Sequence, residues 1–286
     1  MASSTVTSTL NSRLLRSADG WVAVTLPRPS DLELLPAWVG ADLVGLEAAV
    51  AARTNEELTA GAELLGLAVA GLGEYSGPTI REVVLPKRTD PAVATQVRVL
   101  DLSSLWAGPL AASLLAGDGA RVVKAESIQR PDNLKLGRPD LYDELNANKT
   151  IVTFDWDDPA ALPTLIADAD VVIESARPRA LEQRGIVAAD ADVHVWASIT
   201  GYGRSSNRVA FGDDAAVAGG LVRYSPDGTP RFKGDAVADP LTGRAAYEAI
   251  TAALARSEAV LLDIAMAGVA RDVHLRKAQG VGAGDE

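Results

Sequence analysis

VRVLDLSSLWAGPLAASLLAGDGARVVKAES, residues 97–127, decides the fold. VRVLDL (97–102) is a short apolar run bounded by polar residues, which predicts a buried strand. GPLAASLLAGDGA (108–120) has helical periodicity, and RVVKAE (121–126) is a second apolar run. Strand, helix and strand in succession form a βαβ unit, whose two strands lie parallel in one sheet. The same alternation continues outward. TIVTFDW (150–156), DVVIESA (170–176) and DVHVWASIT (192–200) read as further strands. DPAALPTLIADA reads as a helix capped by Asp157 or Asp158, with Pro159 at its first position. DPLTGRAAYEAITAALARSE (239–258) predicts a long helix, AVLLDIAM a last buried strand, and KAQGVGAGDE a frayed tail.

Upstream, residues 13–85 have a different texture. RLLRSADGWVAVTL predicts two short strands around Ala18-Asp19-Gly20, with Gly20 suited to a positive φ. Ser30 and Asp31 open a helical stretch, two more helices follow near 42–52 and 54–65, and Gly66 marks a helix end. GLAVAGLGEY and REVVLP predict extended segments, and PKRTDPAVATQ (86–96) a linker. The expected fold class is α/β: a Rossmann-like parallel-sheet domain over 97–286, preceded by a small α+β domain over 1–85.

Composition narrows the function. The 286 residues carry 27 basic and 38 acidic side chains, a net charge of −11, which disfavours nucleic acid as a partner. An anionic ligand must therefore meet a local positive feature such as an arginine or a helix N-terminus. The absence of cysteine removes disulfides, thiolate metal sites and cysteine nucleophiles. Two histidines, His194 and His274, do not make a multi-histidine metal centre, so no metal is expected. Neither a signal-peptide apolar region nor a run approaching a membrane span is visible, which predicts a cytoplasmic protein with no membrane partner.

The turn LDLSSLWAGP joins the first strand of the large domain to its helix near Gly108 or Pro109. Unpaired N–H groups there can hold a phosphate, although a tight strand-to-helix connection explains the same residues. The G-x-G-x-x-G fingerprint of dinucleotide sites is missing. The order of segments is more specific than the turn. Residues 97–127, then LNANKTIVTFDWDDPAAL, ADVVIESARPRALEQRGI, ASITGYGRSS, FKGDAVADPLTGRAAYEAITAAL and AVLLDIAMAGVA, together resemble the class III CoA-transferases. That family includes formyl-CoA transferase, carnitine CoA-transferase and α-methylacyl-CoA racemase.

The resemblance implies a set of roles. It makes Asp239, in A-D-P-L-T-G, the nucleophile that carries an aspartyl-CoA thioester; as a residue, Asp239 is equally an N-cap followed by proline. Asp213 and Asp214 in F-G-D-D-A-A fall where racemase-like members carry a His-Asp pair, and they equally suit the cap of a helix starting near Ala215. Leu105, Trp106 and Gly108 would line the coenzyme A nucleotide in the first turn. Asn148 and Lys149 would meet a phosphate, and Glu174, Ser175 and Arg177 would run along the pantetheine and adenosine. Lys149 and Arg177 read equally as solvated surface charges.

Two departures bear on activity. ADGWVAVTLPRPSDLELLPAWVG (18–40) resembles the family's small domain but precedes the core instead of following it, as in a permuted or half-length member. No counterpart of the glycine-rich loop that shields the thioester intermediates is visible, since Gly280, Gly282 and Gly284 lie in the tail. Three functions stay open: CoA transfer between an acyl-CoA and a small carboxylic acid, 2-methylacyl-CoA racemisation with Asp213 or Asp214 as second base, and non-catalytic binding of CoA esters. The family's intertwined dimers imply a homodimer or a hetero-oligomer.

Overall fold

SRLLR carries adjacent apolar residues and WVAVT a continuous apolar run, and both segments become strands with side chains of both faces buried. The computed structural model describes residues 5–7, 11–86 and 96–279. β1 (Thr5–Thr7), β2 (Ser12–Arg16), β3 (Trp21–Thr25) and β4 (Ala68–Gly71) form an antiparallel sheet in that order. Four helices follow β3: α1 (Pro29–Glu33), α2 (Leu35–Val39), α3 (Leu46–Ala51) and α4 (Asn55–Leu65). Val22, Val24, Leu35, Leu46, Val50 and Leu58 are all fully buried between sheet and helices. α4 starts on a capping box: Thr54 Oγ1 accepts from Glu57 N at 3.2 Å, and Glu57 Oε2 accepts from Thr54 N at 2.9 Å. It ends at Gly66 with φ 68°, as the sequence predicts. Gly20 departs from expectation, because its φ is not positive. A β-carbon there would lie 3.0 Å from Asn55 Nδ2, so close approach explains the glycine.

The large sheet begins earlier than expected. Its members are β5 (Ile80–Val84), β6 (Arg98–Asp101), β7 (Arg121–Ser127), β8 (Thr150–Phe154), β9 (Val171–Glu174) and β10 (Val195–Thr200), with one later strand. Between them run α5 (Ala107–Gly117), α6 (Leu134–Gly137), α7 (Pro139–Asn146), α8 (Ala161–Ala167) and α9 (Pro178–Glu182). α8 starts with Ala160 as its cap rather than Asp157 or Asp158; Asp158 Oδ1 instead accepts from Ala160 N at 2.9 Å. Then come α10 (Gly212–Ala218), the hairpin of β11 (Val222–Tyr224) and β12 (Pro230–Phe232), α11 (Ala238–Leu254), β13 (Val260–Ala265) and α12 (Met266–Ala278). α12 takes in Lys277 and Ala278 of the tail expected to fray, while residues 280–286 lie outside the described residues.

The seven strands lie in the order β5-β13-β10-β9-β6-β7-β8. β10, β9, β6, β7 and β8 run parallel, and β5 pairs antiparallel with β13 at the edge. β6, the first parallel strand in sequence, has β7 on one side and β9 on the other. The chain therefore winds outward in both directions from β6. In such sheets ligands sit beyond the carboxyl ends of the strands at the point where the order reverses, here the ends of β6 and β9. Leu100, Ala125, Val172, Phe154 and Trp196 belong to the core that supports these strands.

Packing divides the chain differently from the expected boundaries at 85 and 97. One unit comprises Met1–Thr79, Ser206–Asp239 and Ala265–Glu286; the other comprises Ile80–Ser205 and Pro240–Ile264. β5, expected with the N-terminal domain, belongs to the large sheet, and the α10 segment and α12 group with the N-terminal strands. The expected linker lies outside the described residues over 87–95.

Candidate functional site

In the sheet unit, the turn from β6 into α5 is held by buried charge. Leu105 has a φ of 68°, a left-handed conformation that costs a non-glycine residue about 1–2 kcal/mol. Its N–H donates to both carboxylate oxygens of Asp132 at 3.1 Å, which fixes that conformation. Lys124 pairs with Asp132 at 3.2 Å and donates to Ser103 O at 2.8 Å. Ser103 donates through N and Oγ to Asp101. A β-carbon at Gly108 would lie 2.2 Å from Ser103 Oγ, so only glycine lets α5 start this close to the turn. Trp106, half-buried, is the cap residue of α5, and no side chain caps the helix's first N–H groups. An uncapped helix start of this kind can accept an anion.

Lys149 lies beneath this turn. Its ammonium donates to Asp101 Oδ2 and to Pro109 O, both at 2.8 Å, and both side chains are 0% exposed. Burial pushes the Asp101 carboxyl up, but the ammonium groups of Lys149 and Lys124 outweigh it and hold the group below the usual carboxylate range. Lys149 is thus the buried counter-ion of Asp101, while Asn148 beside it is exposed.

Beyond β9, Glu174 is also buried. Its carboxylate accepts from Ala176 N at 2.7 Å and pairs with Arg204 at 3.3 Å, and burial pushes its carboxyl above the usual range. It holds the start of the loop after β9 through the Ala176 N–H. Ser175 Oγ accepts from Ser104 N at 3.1 Å, joining the β6 and β9 loops across the reversal point, and Arg177 is exposed next to it. α11 packs flush on α5: a β-carbon at Gly243 would lie 2.7 Å from Ala107 O. Asp239 stands one turn earlier in that helix.

In the other unit, the local setting of Asp239 is equally tight. It is half-buried in the first turn of α11, and its N–H donates to Ala236 O at 2.9 Å. Ala236 is left-handed, with φ 50°. Asp213 Oδ1 accepts from Ala236 N at 2.8 Å, and Asp214 Oδ1 accepts from Phe211 N at 2.9 Å at the start of α10. Asp213 and Asp214 are 1% and 0% exposed. Burial pushes the Asp214 carboxyl up to about 7, against the opposing Phe211 N–H. Both carboxylates thus accept backbone N–H groups out of solvent.

A family model described as CoA-transferase family III matches residues 95–272, more than half of the chain. The chain belongs to this family. Succinyl-CoA:glutarate CoA-transferase of Mus musculus is 33% identical over 177 residues, which are 55% of this chain and 41% of that protein. Succinate–glutarate CoA-transferase of Agrobacterium fabrum is 30% identical over 195 residues, 59% of this chain and 48% of that protein. The crystal structure of a CAIB/BAIF family protein from Brucella suis superposes with a TM-score of 0.58 at 26% identity, covering 69% of this chain and 57% of that one. This family III chain spans less than half the length of these two curated relatives.

Several supporting residues of the family III chain escape a sequence reading. Lys124 and Asp132 sit in RVVKAES and in a loop, and only the first carries a signal: a lysine inside a strand buried on both faces needs a partner. Asp101 and Lys149 are separated by α5, β7, α6 and α7, and their pairing has no local signature. Gly212 was read only as part of F-G-D-D. Among the described residues no helix is long and apolar enough to cross a membrane, and no group of three acidic or histidine side chains is disposed to hold a metal ion.

Proposed function

We propose that this chain transfers coenzyme A from an acyl-CoA thioester to a carboxylic acid, with Asp239 as nucleophile. The sheet unit holds the coenzyme at the carboxyl ends of β6 and β9, where the uncapped start of α5, Leu105, Trp106 and the exposed Asn148 and Arg177 offer phosphate and nucleotide contacts. The observation that carries the reading is the seating of the Asp239 carboxylate in the first turn of α11, against the bare Cα of Gly212. The Asp239 carboxylate attacks the thioester carbonyl, and the C–S bond breaks to give a mixed anhydride and the CoA thiolate. The thiolate attacks the aspartyl carbonyl, releasing the donor acid and leaving an aspartyl-CoA thioester. An acceptor carboxylate then repeats the two steps in reverse and leaves as the new thioester.

Relatives named for succinyl-CoA and glutarate make short dicarboxylates the first substrates to assay. A homodimer, or assembly with a second polypeptide, belongs to the same reading. The test is isotope exchange: labelled succinate should enter succinyl-CoA in the presence of the protein, and Asp239→Asn should abolish the exchange. Exchange that survives in Asp239→Asn removes the nucleophile assignment. Coenzyme A binding without exchange, for a range of acyl-CoAs, leaves a binding protein.

A further inference from the structure

We propose that Gly212 and Asp213 are positioning residues that seat the carboxylate of Asp239, an inference that rests on Asp239 being the nucleophile. The pair F-G-D-D reads in sequence as a helix cap or as a base, and the geometry assigns it a third role. A β-carbon at residue 212 would lie 2.1 Å from Asp239 Oδ2 and 2.4 Å from Ala236 O. The Asp239 carboxylate thus lies against a bare Cα, and every other side chain at 212 would push it away.

Asp213 acts through Ala236. Alanine enters the left-handed region only at a cost, so its φ of 50° needs a constraint. Two hydrogen bonds supply it: Ala236 N donates to Asp213 Oδ1 at 2.8 Å, and Ala236 O accepts from Asp239 N at 2.9 Å. One peptide segment therefore links the buried Asp213 carboxylate to the backbone of Asp239. If the first bond is lost, Ala236 relaxes towards an ordinary conformation, and the first turn of α11 moves with it. Asp213 takes no proton in this role; it serves as an acceptor. Misplacement of a reacting group by about 1 Å can cost on the order of 100-fold in rate.

An acceptor and a base respond differently to amidation. Asp213→Asn keeps an oxygen for the Ala236 N–H, so the rate of Asp239 adduct formation from succinyl-CoA should stay within roughly threefold of the native rate. Asp213→Ala should lower that rate by roughly 100-fold while leaving the dissociation constant for coenzyme A unchanged. Adding Ala236→Gly to Asp213→Ala should recover part of the rate, because glycine adopts the left-handed conformation freely. A crystal structure of Asp213→Ala should show residue 236 out of the left-handed region and the Asp239 carboxylate displaced from Gly212. The inference is overturned if Asp213→Asn is as slow as Asp213→Ala, or if Asp213→Ala forms the adduct at the native rate. A native protein that forms no adduct overturns the nucleophile instead, and the crystal structure of Asp213→Ala then judges the seat alone: an unmoved Asp239 sinks it.

Discussion

Asp214→Asn should stabilise the protein above neutral pH and flatten its pH dependence. The Asp214 carboxyl is fully buried, and burial lifts it from its ordinary 3.8 to about 7. Its Oδ1 accepts from Phe211 N. A carboxyl raised on folding binds its proton more tightly in the native state. Native stability is therefore full below pH 3.8, falls as the pH rises towards 7, and levels off above it. At 1.36 kcal/mol for each tenfold change in proton affinity, the loss across that window is about 4 kcal/mol. Asparagine at 214 keeps the acceptor for Phe211 N and never ionises. Urea unfolding of the native protein and of Asp214→Asn, at intervals from pH 4 to 8.5, isolates the effect, because all other titrating groups cancel in the difference. The variant should gain on the native protein by about 4 kcal/mol between the ends of that range. Parallel stability curves would refute the argument that burial keeps this carboxyl protonated.

Two more outcomes follow from the turn after β6. Lys149→Met leaves the buried Asp101 without its ion-pair partner, with Lys124 the remaining cation beside it, and the loss of stability in urea or thermal unfolding should reach about 3 kcal/mol. If Lys149 instead met a phosphate, stability would hold and only the coenzyme A dissociation constant would rise. Gly108→Ala forces a β-carbon onto Ser103, so calorimetric titration should show coenzyme A binding weakened at least about tenfold, with a stability loss of about 1–3 kcal/mol from overpacking. Unchanged binding and stability would show that the turn has room to spare.

The parallel strands were legible because each is a short apolar run ended by turn residues, and β6 to β10 lie where VRVLDL, RVVKAE, TIVTFDW, DVVIESA and DVHVWASIT predict them. β5 was legible as a strand but not as a partner of β13, since antiparallel pairing across most of the chain has no local trace. The same limit hid the grouping of α10 and α12 with the N-terminal sheet: a β-carbon at Gly219 would meet Ala267 O at 2.6 Å, a closeness no periodicity reports. At the site, residue types were readable and their roles were not. Lys149 and Glu174 carry charges that suit a ligand, and the fold turns both inward onto Asp101 and Arg204. Asp213 falls where racemase-like members carry a base, and nothing in the sequence shows that the fold buries it with its carboxylate on Ala236 N.

The central claim is that Asp239 becomes covalently joined to coenzyme A. Its most direct measurement is peptide mapping after the protein is mixed with succinyl-CoA and quenched with hydroxylamine, which converts an aspartyl thioester or anhydride to a stable hydroxamate. That modification should fall on Asp239 alone, absent without the thioester and absent in Asp239→Asn. Turnover of succinyl-CoA with an unmodified Asp239, or a hydroxamate on another carboxylate, would contradict it.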